Sequence, residues 1–406
     1  MPPAKMPTQE RSEELWGALR PSESAHRRAH PLDGLWRFVP DARDEGEAKG
    51  FASGLPGDSN QVAVPGSWNE QRPELDSFLG PAWYQRSFRE PIGFDPVAQS
   101  CVLRFGSVNY ACAVFINGTM AGEHEGAHLP FEIDATPHLQ RGGPNRLVLR
   151  VDGRLRRTHV PPGGGWGALA PGCFPSTTFD FYPYCGVQRS VLLCTRPARG
   201  LTALRFLVDG LEGARELPCG QGHAADNACV RVGVKVGGRD CNLRGGASRA
   251  GRIRSVRVTL LDARGEAELA RGEAALDPAD EASVALRVPS PALWAPGSPT
   301  LHLLRLEALE ALAPPPAAAA EPAAAEPAEP AEPASEAVDT YEQPVGLRTV
   351  RVEGDQFLLN GFPVTLVGFG RHEDFPVVGR GECGAVLVRD HLMSYMHMHM
   401  YMYMYM

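Results

Sequence analysis

Apolar and polar residues alternate with a period of two through much of the chain. In CVLRF (101–105), Cys101, Leu103 and Phe105 fall on one side and Val102 and Arg104 on the other. That is the pattern of a strand with one face toward a core. ACAVFING (111–118) and NRLVLRV (145–151) predict further strands. Asn117-Gly118, directly after an apolar run, predicts a tight hairpin turn. From Leu32 to about residue 197 such short strands and turn signals recur, at the spacing of a β-sandwich or jelly roll.

A second strand-rich stretch runs from 198 to 352. In RIRSVRVTLLD (252–262), Ile253, Ser255 and Arg257 alternate with Arg254, Val256 and Val258 before the segment turns apolar. ASVALRV (282–288) and TLHLLRLEAL (300–309) are further candidate strands. The stretch has the size of an immunoglobulin-like sandwich.

Three segments break the pattern. Residues 1–30 are polar and rich in Pro and Arg, and read as a loose leader. Residues 313–337 are a Pro/Ala/Glu tract that cannot build a core. Strand-like sequence flanks it on both sides, TLHLLRLEAL before and PVGLRTVRV after, so it reads as an insertion in a hairpin loop. Loop entropy grows by only about 0.6 kcal/mol per doubling of length, which a sheet tolerates. Residues 394–406, with alternating Met, His and Tyr, read as a translated simple repeat rather than a copper site.

Composition narrows the function classes. Gly (44) and Pro (37) are frequent among the 406 residues, which favours turns and short strands over long helices. The formal charge is −8 and no basic stripe runs along any segment, which argues against a nucleic-acid partner. No stretch of about 18 apolar residues occurs to span a membrane. Nor does the first segment carry a secretory signal, so the chain as written reads as cytoplasmic. The nine cysteines show no C-x-x-C spacing and read as free thiols.

Two motifs imitate chemistry. His124-Glu125-Gly126-Ala127-His128 matches H-E-x-x-H, which binds zinc only when both histidines share one helical face. Gly122, Gly126 and Pro130, together with the preceding hairpin, argue against that helix, and no metal site is expected. Asn117-Gly118-Thr119 is a glycosylation sequon, of no use without a secretory signal.

Several segments, in order, resemble the β-glucuronidases of glycoside hydrolase family 2. LDGLWRF (32–38), VAVPGSWNE (62–70) and WYQRSF (83–88) resemble their opening. LRFGSVNYACAVFINGTMAGEHEGAHLPFEIDAT (103–136) and FDFYPYCGVQRSVLL (179–193) resemble the centre and end of their sugar-binding jelly roll. LWAPGSPTLHLLRLEAL (293–309) resembles part of their immunoglobulin-like domain. PVGLRTVRVEGDQFLLNGFPVTLVGFGRHEDFPVVGRG (344–381) resembles the entry into their catalytic barrel. Within it, the run Gly370-Arg371-His372-Glu373-Asp374 favours β-glucuronidases over the related β-galactosidases and β-mannosidases.

The resemblance implies a mostly β fold. A loose leader (1–30) is followed by a jelly-roll sugar-binding domain (31–197) and an immunoglobulin-like sandwich (198–352). The start of a TIM barrel (353–393) comes next, with PVTLVGFG (363–370) as its first strand and ECGAVLVRDHLM (382–393) resembling its first helix. It implies retaining hydrolysis of β-D-glucuronosides by two barrel glutamates, with no cofactor, in a homo-oligomer that is lysosomal in animals. Such a reaction needs two carboxyl groups roughly 5–5.5 Å apart. Neither glutamate can be placed here: the one Asn-Glu pair, Asn69-Glu70, lies in the jelly roll, and a full barrel takes roughly 250 residues. The 406 residues alone are therefore expected to be inactive. Asp180 matches an aspartate that reaches the active site from the jelly roll, and His372 a histidine that contacts the sugar, with Arg371 and Glu373 supporting. Phe179 departs from relatives that carry His there. A non-catalytic carbohydrate- or subunit-binding module, and a fragment of a β-galactosidase or β-mannosidase, are the alternatives.

Overall fold

The computed structural model describes residues 16–156, 159–160, 182–217, 222–238, 253–311, 335–365, 375–381 and 384–393. They are mostly β, as expected, and fall into two compact units. The jelly-roll unit comprises 29–94, 100–195 and 370–406; the second-sandwich unit comprises 1–28, 95–99 and 196–369.

The strands of the first half are Gly17–Ala18 (β1), Arg28–Pro31 (β2), Gly34–Pro40 (β3), Asn60–Val64 (β4), Gly66–Ser67 (β5), Pro81–Arg89 (β6) and Gln99–Phe105 (β7). Val108–Asn109 (β8), Ala111–Ile116 (β9), Thr119–Glu125 (β10), Phe131–Asp134 (β11), Pro144–Asp152 (β12), Gly186–Val187 (β13) and Val191–Pro197 (β14) follow. β10-β9-β12-β6-β3-β4 form a six-stranded sheet, β11-β7-β14-β2 a second, and β5-β13-β8 a small third. The main core lies on one face of the six-stranded sheet. Trp36, Tyr84, Val114 and Leu149 meet Leu103, Phe105, Val191 and Leu193 of the second sheet there.

The opposite face of the six-stranded sheet is also covered. Trp83, Phe115 and Val148 pack with Leu55 under a 3-10 turn at Phe51–Ser53. Phe51 meets Trp83 edge-on, with ring centroids 5.9 Å apart. This double burial explains why PAWYQ (81–85) is buried on both faces rather than alternating, with Gln85 accepting the Leu55 N–H at 2.8 Å. The Trp83 indole N–H donates to the buried Asp41 carboxylate at 3.0 Å.

β9 and β10 pair through the two-residue loop Asn117-Gly118, whose φ values of 53° and 85° make the expected primed hairpin turn. The Asn117 amide donates to the His138 carbonyl (2.9 Å) and Asn145 Oδ1 (2.8 Å), and its oxygen accepts from the Arg146 N–H (2.9 Å). The sequon nitrogen is thus engaged inside the fold.

The second-sandwich unit adds Arg199–Glu212 (β15), the short hairpin Arg215–Glu216 and His223–Ala224 (β16, β17), Asn227–Gly238 (β18), Ile253–Leu261 (β19), Glu268–Ala275 (β20) and Glu281–Pro289 (β21). Trp294–Ala295 and Ser298–Pro299 (β22, β23), His302–Ala311 (β24) and Ser335–Val345 (β25) complete it, before a meander of Val350–Glu353, Gln356–Leu359 and Phe362–Pro363 (β26–β28). Sheets β1-β15-β18-β21 and β20-β19-β24-β25 enclose one core, with Val230, Val232, Val256, Val258, Leu286 and Leu304 at its centre.

Several expectations need correction here. Ile253 does not share a face with Ser255 and Arg257. The register against β24 shifts between Ile253 and Ser255, and this bulge sends Ile253 into the core with Val256 and Val258. The Pro/Ala/Glu tract is indeed bracketed by paired strands, because Ala311 of β24 lies opposite Ser335 of β25. The partner strand begins inside the expected tract, however, and Val350–Glu353 belongs to another sheet. Residues 16–30 are no loose leader either: β1 pairs with β15, and Leu19 is buried in the sandwich core. Of the expected barrel strand only 363–365 are described. Pro363 pairs antiparallel with Leu358, across a second Asn-Gly turn at Asn360-Gly361 (φ 56° and 90°). Residues 384–393 are helical, inside the expected helix. No helix among the described residues is long and apolar enough to cross a membrane.

Asn117→Ala removes three hydrogen bonds and leaves a Cβ-branched-free but non-glycine residue at positive φ. We expect destabilisation of the jelly-roll unit by roughly 2–4 kcal/mol, read as an earlier transition in urea with an unchanged slope.

Candidate functional site

Asp180, Arg371, His372 and Glu373 all lie outside the described residues, as does Asp374. The structure does describe the chain that follows each group, and both stretches rest on one platform in the jelly-roll unit.

The platform is Gly66–Gln71. Ser67 caps a short helix, Trp68–Gln71 (α1), by accepting the Asn69 N–H, and its hydroxyl donates to the Cys185 carbonyl at 2.9 Å. Asn69 is 4% exposed and fully committed. Its oxygen accepts the Cys185 N–H at 2.9 Å, and its amide lies 2.8–3.1 Å from the carbonyls of Leu75, Asp76 and Phe78. A side chain of both donor and acceptor character is needed here, because the turn and the returning strand each leave buried backbone groups unpaired. Glu70 accepts from the Tyr184 hydroxyl at 3.0 Å. Asn69 is therefore structural, and Glu70, next to it on an exposed position, bonds within the same unit.

The stretch after Asp180 is held by this platform. The Tyr182 hydroxyl bonds Asp76, with the carboxylate oxygen at 2.8 Å, and the Tyr182 and Tyr184 rings lie 4.3 Å apart. Burial, then the Asp76 carboxylate, pushes the Tyr182 hydroxyl well above the ordinary phenol range. The stretch after Asp374 is held by the same residues. The Ser67 N–H donates to the Val378 carbonyl at 3.0 Å, and Phe375 and Gly379 exchange backbone hydrogen bonds of 3.1 and 2.8 Å. Gly379 has φ +58°, and a Cβ there would stand 2.7 Å from the Tyr184 ring and 2.9 Å from the Ser67 Cβ. Only glycine fits both the conformation and the space.

Beside the platform, Tyr110 is fully buried between two histidines. His159 stacks on it at 5.6 Å and His128 meets it edge-on at 5.9 Å. The His128 Nε2 lies 3.1 Å from the Val160 carbonyl, and His159 Nε2 lies 3.0 Å from the Glu125 carboxylate. An ion-pair chain continues from Glu125 through Arg156 (3.0 Å), Asp152 and Arg154 to Asp44. Burial lowers the His128 pKa, with Arg380 and Arg189 adding to it against the Val160 bond. Burial alone lowers that of His124.

His124 lies on β10 and stacks on Phe131 at 4.1 Å. The H-E-x-x-H run is thus strand and turn, and no cluster among the described residues has the make-up to hold a metal ion. The free cysteines among them include Cys101, Cys112 and Cys185, all buried, and burial pushes the Cys101 thiol up to about 12. Sequence reading missed the roles of Tyr182, Tyr184, Asp76 and Gly379. The i, i+2 spacing of the two tyrosines was the one local signal; their partners are distant in sequence.

Comparison with known proteins places this arrangement. Residues 29–197 match the family model for glycosyl hydrolases family 2, sugar binding domain. The chain thus carries the sugar-binding fold of that hydrolase class. Over most of its length it is β-glucuronidase-like. It is 31% identical to the β-glucuronidase of Canis lupus familiaris over 393 residues, covering 92% of this chain and 53% of the relative. The Homo sapiens β-glucuronidase is 30% identical over 396 residues, with the same coverage. The structure of Bifidobacterium dentium β-glucuronidase complexed with coumarin-3-O-glucuronide superimposes with a TM-score of 0.74 at 30% identity, covering 92% of this chain and 56% of that one. A Ruminococcus gnavus β-glucuronidase in complex with D-glucuronic acid gives 0.69 at 27% identity, covering 92% and 55%. The chain spans about half the length of the curated relatives it matches.

Two outcomes follow. Gly379→Ala should detach residues 375–381 from the platform, seen as faster amide exchange there, whereas Gly354→Ala (φ +61°, open space) should change only its own turn. Because its folded pKa is lowered, His128 supports folding fully above the ordinary histidine value of 6.5. That support falls away as the pH drops through and below it, since the unfolded chain takes the proton first. His128→Gln keeps an N–H for Val160 and should flatten the acid side of the jelly-roll unit's stability profile.

Proposed function

We propose that these residues are the substrate-orienting front part of a retaining β-glucuronidase. The observation that carries this reading is the shared platform. The chain just after Asp180 and the chain just after Arg371–Asp374 both dock on Gly66–Gln71, within one unit. Two segments far apart in sequence are thereby kept on one support, as a composite site requires.

In this reading residues 31–197 form the sugar-binding jelly roll, 198–352 the immunoglobulin-like sandwich, and 353–393 open the catalytic barrel. Asp180 hydrogen-bonds the sugar from the jelly roll, and His372 contacts it from the barrel side. Arg371 and Glu373 support His372, and the substrate is a β-D-glucuronoside. Covalent and acid/base steps need a nucleophile and a proton donor on carboxyl groups roughly 5–5.5 Å apart. Within these 406 residues no such pair is assigned, since Asn69 is consumed by structure and Glu373-Asp374 are sequence neighbours.

Support for an independent glycan-binding module is weaker. Trp36, Trp68, Trp83, Tyr84 and Tyr110 are all fully buried, so they offer no exposed stacking surface.

A polypeptide of these 406 residues should release no chromophore from an aryl β-D-glucuronide above the blank. Turnover that follows the chain through purification, and is lost in neither Asp180→Ala nor His372→Ala, would sink both the assignment of roles and the missing-carboxylate argument.

A further inference from the structure

Residues 16–28 lie on the second-sandwich unit as a bound peptide would. At one end the Trp16 ring lies against two cations, with the Arg205 guanidinium at 4.8 Å and the Lys235 ammonium at 4.5 Å. Gly233 leaves the room for it, since a Cβ there would stand 3.2 Å from the indole. Gly17 and Ala18 then add a two-residue strand to the edge of β15, opposite Leu204 and Ala203. A Cβ on Gly17 would meet the Leu204 carbonyl at 3.2 Å, so this edge favours the smallest residue. Leu19 drops into the core, and the Arg20 N–H donates to the Tyr341 hydroxyl at 3.0 Å.

The other end is a buried ion pair. Arg27 is 6% exposed and Asp339 is 0% exposed. Arg27 Nε and Nη2 donate to the two Asp339 oxygens at 2.8 and 2.6 Å, and Nη2 also donates to the Leu201 carbonyl at 2.6 Å. Asp339 further accepts the Leu201 N–H at 2.8 Å. Gly200 permits this approach, because a Cβ there would stand 2.4 Å from the carboxylate. Arg27 is prepared for the pocket by a tight turn, in which the Ser24 hydroxyl accepts the N–H groups of His26 and Arg27 at 3.1 and 3.2 Å.

We propose that β15 and the Asp339 pocket form a groove for an extended peptide, which this chain fills with its own residues 16–28. The groove reads an aromatic residue against Arg205 and Lys235, a glycine and a leucine on the β15 edge, and an arginine at Asp339. Edge pairing supplies backbone hydrogen bonds, and the two end pockets supply selectivity. A buried carboxylate that loses its guanidinium is strongly disfavoured, so the segment docks and releases as one piece. The proposal is independent of the glucuronidase reading and needs no turnover to test.

The probe is a fluorescent synthetic peptide, WGALRPSESAHRR, with the sequence of residues 16–28. In the full chain carrying Arg27→Met, residues 16–28 should exchange their amide hydrogens at least about tenfold faster than in the native chain. The peptide should bind that variant saturably, and at least about tenfold more weakly to the native chain, whose groove is filled. Adding Asp339→Asn to the variant should abolish binding. Trp16→Ala, which leaves no charge unpaired, serves as a second variant and should release the same segment. Equal peptide binding to native and variant chains, or unchanged exchange of residues 16–28 in Trp16→Ala, would overturn the proposal.

Discussion

Every buried turn in this protein must pair its backbone N–H and C=O groups, and the fold depends on a few side chains that do so. Asn69 serves three carbonyls and one N–H around the platform. Asn360, 1% exposed, accepts the Thr349 N–H at 3.0 Å, and its amide lies 3.1 Å from the Trp294 carbonyl and 3.0 Å from His223 Nδ1. Asn117 does the same beside its hairpin. A carboxamide suits these places because it donates and accepts without bringing a charge into a weakly polar interior. Buried carboxylates also serve: Asp41 accepts the Glu45 and Gly46 N–H groups and the Trp83 indole, and the charge of Asp339 is matched by Arg27.

Much of the architecture was legible in local sequence. Alternation gave β21, whose buried residues fall on every second position, and Asn117-Gly118 gave its hairpin without error. What misled was any feature set by a distant partner. The alternation in 252–262 held until a bulge against β24 displaced Ile253. Asn360-Gly361 carries the same turn signal as Asn117-Gly118 but sits in a stretch read as barrel entry. The polar composition of 16–28 concealed a segment whose few apolar residues, Trp16 and Leu19, are spaced for one groove.

The candidate site was legible to a lesser degree. Asp180, Arg371, His372 and Glu373 came from resemblance, not from any local pattern, and a histidine in a Gly-rich run has no physical signature of its own. The support of the stretches that follow them, 182–187 and 375–381, was invisible, since the contacts of Ser67 with Cys185 and Val378 join three remote segments. The H-E-x-x-H run, by contrast, carries its own physical signature of a strand and turn. Its glycines and proline denied it the helix that zinc chemistry requires, and the strand at Thr119–Glu125 agrees.

The titrations around the platform point the same way as its hydrogen bonds. Burial raises Tyr110, Tyr182 and Cys185 and lowers His128, so each group is held in its neutral form. Groups held neutral in this way fix their neighbours by packing and hydrogen bonding, beside the carboxylates of Glu70 and Asp76 that accept from Tyr184 and Tyr182. Under the proposed function, Arg371 and Arg380 are cations suited to a uronate, and Asp180 and Glu373 are anions suited to sugar hydroxyls or to an arginine.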